Sequence, residues 1–248
     1  MSETLTTDET QMPLHLPSRA DLRREARAHS TSPVVWLREI GVILLLAVVV
    51  STLLRLFVVQ VFWIPSSSMR ETLVEQDRIA VGRLSAWTGD VKRGDVVVFR
   101  DDLDWLGPSP SPAWWETVGE FLGILPGGSR ETLVKRVIGV GGDHVTCCDA
   151  NGRLSVNGVA VDEPYLAGRG GASSFDFDVT VPDGHLWVMG DNRSNSADSR
   201  YHMGASDSPF VPLSSVVGVA GAIVWPADRW ALVGHRDVFA AVANSPQS

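Results

Sequence analysis

Cysteine is nearly absent from these 248 residues: there are two, Cys147 and Cys148, side by side. A disulfide-stapled scaffold needs separated cysteines, so that class is excluded, and the pair reads as an unpaired turn feature or a vicinal disulfide. Lysine is equally scarce, confined to Lys92 and Lys135. The formal net charge is -8 and no basic stripe interleaves with aromatics, which argues against a nucleic-acid partner. No spaced Cys/His set offers zinc ligands, and neither a metal nor a cofactor is expected. Beyond the first quarter of the chain, convincing three-turn amphipathic helices are missing, apart from one short candidate around Trp114 to Leu122. With 23 glycines and 14 prolines, short strands and turns are favoured, and the fold class is mainly β.

The first strong feature is an apolar run. Residues 40–54, IGVILLLAVVVSTLL, carry only Ser51 and Thr52 as polar groups; Arg55 then interrupts and LFVVQVFWI continues. A hydrocarbon core needs about 20 helical residues, so one N-terminal transmembrane helix is expected over 39–61. Arg55 would snorkel to headgroups or face protein, and Trp36 and Trp63 would sit at the interfaces. A buried core helix is the alternative, disfavoured by a near-total lack of polar residues. Arg19, Arg23, Arg24, Arg27 and Arg38 precede the run. Their charge places the N-terminus in the cytoplasm and everything after Phe62 outside, in a single-pass protein of the cell membrane. No clean Ala-x-Ala site follows, so the anchor reads as uncleaved. Residues 1–38 read as a cytoplasmic tail, mostly disordered, with a short charged helix at 19–29.

The remainder reads as one extracytoplasmic domain over 62–235. Strands are expected at 77–84, 94–100 and 131–143. Two Asn-Gly pairs, Asn151-Gly152 and Asn157-Gly158, mark hairpins in a small subdomain at about 144–187. Residues 101–130 look like an insertion broken by proline and glycine, carrying Trp105, Trp114, Trp115, Phe121 and Leu122. Those aromatics either pack back on the sheet or dip into the outer leaflet of the lipid bilayer. Residues 236–248 read as a flexible tail.

Just past the apolar run stands PSSSM, residues 65–69. A serine hydroxyl is a weak nucleophile until a base takes its proton. Histidines 144, 185, 202 and 235 stand in no recognisable nucleophile-partner motif, and no Gly-x-Ser-x-Gly elbow occurs. A neutral lysine is the other available base. Lys92 precedes Arg93 and a turn, where water reaches it. Lys135 lies inside the apolar stretch ETLVKRVIGV, and Lys135 and Arg136 must point to opposite faces of a strand. Either Lys135 is desolvated, with a lowered pKa, or it snorkels to the surface.

Four blocks resemble bacterial type I signal peptidases, membrane-bound serine proteases: QVFWIPSSSMRETL, RGDVVVFR, KRVIGVGGD and GDNRSNSADSR, in that order. The resemblance implies Ser68 as nucleophile and Lys135 as general base. It implies an oxyanion hole of the Ser66 hydroxyl and the Ser68 N–H, and Ser196 as the group that hydrogen-bonds Lys135. Asp198, Arg200 and Asp191 would be supporting residues, and Phe62, Ile64 and Val134 would line shallow substrate pockets. Signal peptides of exported preproteins would be the substrates, cut after small residues at the first and third positions before the scissile bond. Translocation machinery would be a neighbour. A lysine at position 135 favours the bacterial kind over the microsomal kind, which carries histidine there. A catalytically inactive, membrane-anchored binding homologue is the alternative. One departure stands out: the pattern's proline after Ser-Met-x is Glu71 here, expected to face solvent and to tolerate Glu71→Pro with less than a tenfold change in activity.

Overall fold

A computed structural model describes residues 33–107, 132–168, 171–204 and 208–242. The expected tail and charged helix before residue 33, and Trp114, Trp115, Phe121 and Leu122, lie outside these residues. The chain divides into two compact units, Met1–Thr52 and Leu53–Ser248.

Helix α1 runs Pro33–Phe57. Its stretch Val35–Thr52 is long and apolar enough to cross a membrane, with none of it buried against protein. The helix starts and stops earlier than the expected 39–61. Residues Val59–Trp63 are instead strand β1, with Phe62 buried between exposed Val61 and Trp63. Val-Gln-Val-Phe-Trp is rich in β-branched and aromatic side chains, which suit a strand, and its burial alternates along β1.

The second unit holds two antiparallel sheets. The strands are β2 (Arg78–Gly82), β3 (Val96–Arg100), β4 (Thr132–Val140), β5 (His144–Cys147), β6 (Ser155–Val156), β7 (Val159–Ala160), β8 (Phe177–Thr180), β9 (His185–Met189), β10 (Val211–Pro212), β11 (Val216–Trp225) and β12 (Ala231–Leu232). The large sheet runs β1-β2-β11-β3-β4-β9-β10, with β12 also on β11; the small one runs β7-β6-β5-β8. The small sheet therefore ends at Thr180, and residues 185–187 belong to the large sheet rather than to the hairpin subdomain. The β6–β7 turn is Asn157-Gly158, both at positive φ (53° and 80°), as a two-residue primed hairpin requires. Cys147 and Cys148 are joined as a vicinal disulfide.

Strand β3 is central and buried on both faces. Val96 and Val98 join a cluster with Phe62, Ile64, Met69 and Leu73. Val97 and Phe99 join another with Trp105, Leu133 and Val188. Trp105 is thus core, not a membrane contact: it is 8% exposed, stacks on His202 at 4.4 Å and meets Phe99 edge-on. Its backbone N–H and that of Leu106 are capped by the Asp101 carboxylate.

The tail expected from residue 236 is folded through residue 242. A 3-10 turn, Arg236–Phe239, sets Phe239 and Val242 into the cluster that also holds Trp187 and Met189. Arg236 pairs with Asp95, and the Val242 carbonyl accepts from Arg93. Phe239 and Val242, with partly buried Val238 beside them, dock a segment whose sequence has no strand or helix period.

Candidate active site

Strand β1 leads through Ile64 and Pro65 into a single 3-10 turn, Ser67–Met69. Both ends of the loop are tied, because Ile64 N–H donates to the Asp77 carbonyl and Gln76 N–H to the Ile64 carbonyl. Met69 and Leu73 are buried anchors beneath it. The turn thereby presents three serine hydroxyls at the domain surface, with Ser66 exposed and Ser67 and Ser68 half-buried.

Strand β4 supplies the amine. Lys135 pairs in register with Val97 of β3 and is 3% exposed. Its Nζ donates to Ser68 Oγ at 2.8 Å, and Ser66 Oγ lies 3.3 Å from the same oxygen. Burial brings the Lys135 pKa down from 10.5 to about 8; Asp198 and then Asp191 draw it back upward, and Arg200 presses it down. Desolvation wins because no carboxylate touches the ammonium. A lysine that can lose its proton near neutral pH, in contact with a serine hydroxyl, can act as a base toward it. His144 bonds Asp178, His185 bonds the Asp183 carbonyl, His202 stacks on Trp105, and His235 lies against Tyr165. None of the four bonds Ser68.

The loop 190–200 closes the site from the other side. Asp198 accepts the Gly190 N–H and holds Arg200 through two bonds of 2.8 Å. Asp191 is clamped by Arg136 Nε and Nη2 at 2.8 and 2.6 Å and accepts from Thr72 Oγ1. Thr72 belongs to the serine loop, so Asp191 and Arg136 tie that loop to β4. Gly190 lies so close to the serine turn that an added Cβ would stand 2.5 Å from the Ser68 carbonyl oxygen. Ser196 is buried and near this point, but its hydroxyl has no hydrogen-bond partner. The expected Ser196–Lys135 bond is absent; Lys135 has turned to Ser68 instead.

The three expected pocket residues meet in one apolar cluster. Phe62 and Ile64 are buried in it at 3% and 2% exposure, and half-buried Val134 packs against it. Phe62 and Ile64 are therefore buried core side chains rather than exposed lining. Four residues near the serine lie outside the expected set of site residues: Thr72, Arg136, Asn192 and Asn195. Asn192 and Asn195 stood inside the GDNRSNSADSR block, and Arg136 beside Lys135. What gave no warning was that each reaches across 64 or more residues to its partner.

Comparison with known proteins adds a family. The one described as signal peptidase, peptidase S26, matches residues 37–225. Signal peptidase I of Mycobacterium tuberculosis is 39% identical over 224 residues, covering 79% of this chain and 75% of that protein. Probable signal peptidase I-2 of a Synechocystis species is 33% identical over 228 residues, covering 91% and 90%. A solved signal peptidase I from Enterococcus faecalis V583 aligns with 52% of this chain and 95% of its own, at 27% identity and a TM-score of 0.35.

Proposed function

The chain belongs to the signal peptidase family, peptidase S26, and on that footing we propose that it is an endopeptidase removing N-terminal signal peptides from exported preproteins, with Ser68 as nucleophile and Lys135 as general base. The observation that carries the reading is the 2.8 Å contact between Lys135 Nζ and Ser68 Oγ, made by a lysine that burial has brought down to about 8. At pH 7 about a tenth of such a lysine is neutral.

In the proposed reaction, neutral Lys135 takes the Ser68 proton as Oγ bonds the scissile carbonyl carbon, and the carbonyl electrons move onto oxygen. The Ser68 N–H and the Ser66 hydroxyl meet that oxyanion. Collapse breaks the C–N bond, and the Lys135 ammonium gives its proton to the departing amine. Lys135 then deprotonates water as it attacks the acyl ester, and returns that proton to Ser68 Oγ as the acyl C–Oγ bond breaks and the new C-terminus leaves. Residues preceding the cut would lie over half-buried Val134, above buried Phe62 and Ile64, where little depth is left. Such a surface suits small side chains at the first and third positions. Helix α1 would anchor the enzyme with its N-terminus cytoplasmic, given the arginines before it, and with the second unit outside beside emerging signal peptides and the translocation machinery. Ser68→Ala and Lys135→Met should each abolish cleavage of a preprotein by the full-length protein; retention of near wild-type cleavage by either would overturn the proposal.

A further inference from the structure

The peptide group joining Ser67 to Ser68 is held by more than its own turn. The Ser67 carbonyl accepts from Arg70 N–H at 3.0 Å within the turn and from Asn192 Nδ2 at 3.0 Å across it. Asn192 also donates its backbone N–H to the Ser68 carbonyl at 3.0 Å. Its amide orientation is fixed chemically, because Ser194 Oγ donates to Asn192 Oδ1 at 3.1 Å and a carbonyl oxygen can be met only by the NH2 side. Asn195 Nδ2 adds a bond of 2.8 Å to Ser67 Oγ, and Asn195 N–H closes a tight turn onto the Asn192 carbonyl at 2.9 Å.

A trans peptide group is planar, with its C=O and N–H pointing in opposite directions. Two donors on the Ser67 carbonyl therefore fix the direction of the Ser68 N–H, a group for which no acceptor is observed among the described residues. We infer that Asn192 is a positioning residue for the oxyanion donor: its side-chain amide holds the Ser67 carbonyl and so aims the Ser68 N–H of the same peptide group, while Asn195 braces the turn through the Ser67 hydroxyl. This rests on the role proposed for Ser68. It assigns work to Ser67, the middle serine, and to two asparagines that touch neither the attacking oxygen nor Lys135. The bonds need no rearrangement during the reaction, as a preorganised oxyanion site requires.

The test uses the full-length protein in detergent micelles, with a preprotein substrate and two peptides. One is a peptide aldehyde, whose adduct with Ser68 Oγ places an oxygen where the oxyanion forms. The other has the same sequence with a reduced, uncleavable bond. Asn192→Ala keeps the backbone N–H and should lower kcat about tenfold, as loss of one partly buried hydrogen bond implies, with KM within about twofold. Aldehyde affinity should fall by the same factor, because transition-state-like ligands report the oxyanion site, whereas reduced-peptide affinity should hold. Asn192→Asp turns the donor into an acceptor facing a carbonyl and should cost more. Asn195→Ala and Ser67→Ala should each cost about threefold and together no more than either, since they break one shared bond. The acidic limb of the pH profile should stay in place, because Lys135 is untouched. Unchanged kcat in Asn192→Ala, or equal losses in affinity for both peptides, would overturn the inference. Should Asn192→Ala not fold, Asn195→Ala carries the same aldehyde-against-reduced-peptide comparison. A Ser68→Ala protein that still cleaves would instead remove the reading beneath it, which keeps the two failures apart.

Discussion

Lys135 and Arg136 are consecutive in β4 and both buried, at 3% and 0% exposure, yet only Arg136 is bonded to a carboxylate. Asp191 grips the guanidinium through two hydrogen bonds, so its charge is compensated where it lies. Lys135 meets a neutral hydroxyl, with Asp198 and Asp191 acting only through space. One strand thus keeps a permanent cation and, next to it, an amine that can discharge. Exchanging the two would destroy both properties, since arginine does not give up its proton.

The consequence is visible in both rate and stability. The acidic limb of kcat/KM should fall near pH 8, with activity rising as Lys135 loses its proton. An unfolded lysine keeps about 10.4, so between 8 and 10.4 the unfolded chain binds more protons than the folded one, and stability rises with pH through that window. Below pH 8 the buried charge costs the fold up to about 3 kcal/mol. Lys135→Met should therefore be inactive but more stable than wild type at pH 7 by up to that amount, with the gap closing above pH 10. Urea unfolding of both proteins at pH 7 and pH 10 checks it. A Met variant less stable at pH 7, or a limb near 10, would contradict the desolvation.

Gly190 is required by contact, not by backbone conformation. A methyl there would lie 2.5 Å from the Ser68 carbonyl oxygen and closer still to Ser196 Oγ. The Ser196 hydroxyl can swing away; the Ser68 backbone cannot move without displacing Oγ, the proposed nucleophile. Gly190→Ala should lower kcat about a hundredfold, the scale of a shift of roughly 1 Å at a reacting group. Gly204→Ala, where an added Cβ meets nothing within 4 Å, should leave kcat unchanged.

Much of this site was legible because it is written in short motifs. Ser66, Ser68 and Lys135 stand in blocks whose local pattern names them, and alternation alone required Lys135 and Arg136 to face opposite ways. Thr72, Asn192 and Asn195 act through partners 119, 125 and 128 residues away, and single-sequence reasoning offers no register for such contacts. The end of α1 was obscured because residues 56–63 suit lipid and strand alike, and only pairing with β2 decides between them. Trp105 was ambiguous for a related reason: an aromatic in a proline-broken loop signals burial of some kind without saying against what.

The segment that starts at His235 misleads in the opposite direction, since HRDVFAAVAN has no period and three charged or titratable residues in its first three positions. Phe239 at 4% and Val242 at 7% exposure nevertheless complete the cluster around Trp187. Phe239→Ala should cost about 3 kcal/mol, the low end for a buried aromatic, with kcat at 25 °C little changed. Ending the chain at His235 should cost more, because it also strips Arg236 from buried Asp95, whose carboxylate caps the Lys92 N–H. Denaturant midpoints of the two variants give the order; a truncated chain as stable as wild type would return this segment to the status of a tail.

Glu71 carries the sharpest reversal. It is exposed, as a solvent-facing substitution should be, but its φ is +87°. Proline is locked near −65° and cannot adopt that value, so the residue that the family pattern places here does not fit the backbone this chain has built. The strained conformation is held between two fixed points. Leu73 N–H donates to the Met69 carbonyl, and Thr72 Oγ1 donates to Asp191. Glu71→Pro must break one of them or twist the Ser67–Met69 turn, and either path reaches Ser68. The variant should lose more than tenfold in kcat, beyond about 1.4 kcal/mol in barrier, together with a lower denaturant midpoint. Glu71→Gly relieves roughly 1 kcal/mol of left-handed strain, and the added freedom of the unfolded chain cancels part of it. Its stability should rise by about 0.5 kcal/mol with kcat unchanged. Glu71→Gln should change neither, because the carboxylate makes no observed bond. A proline variant with wild-type rate and stability would mean that the turn passes readily to a second geometry, and that the left-handed residue is incidental to the placement of Ser68.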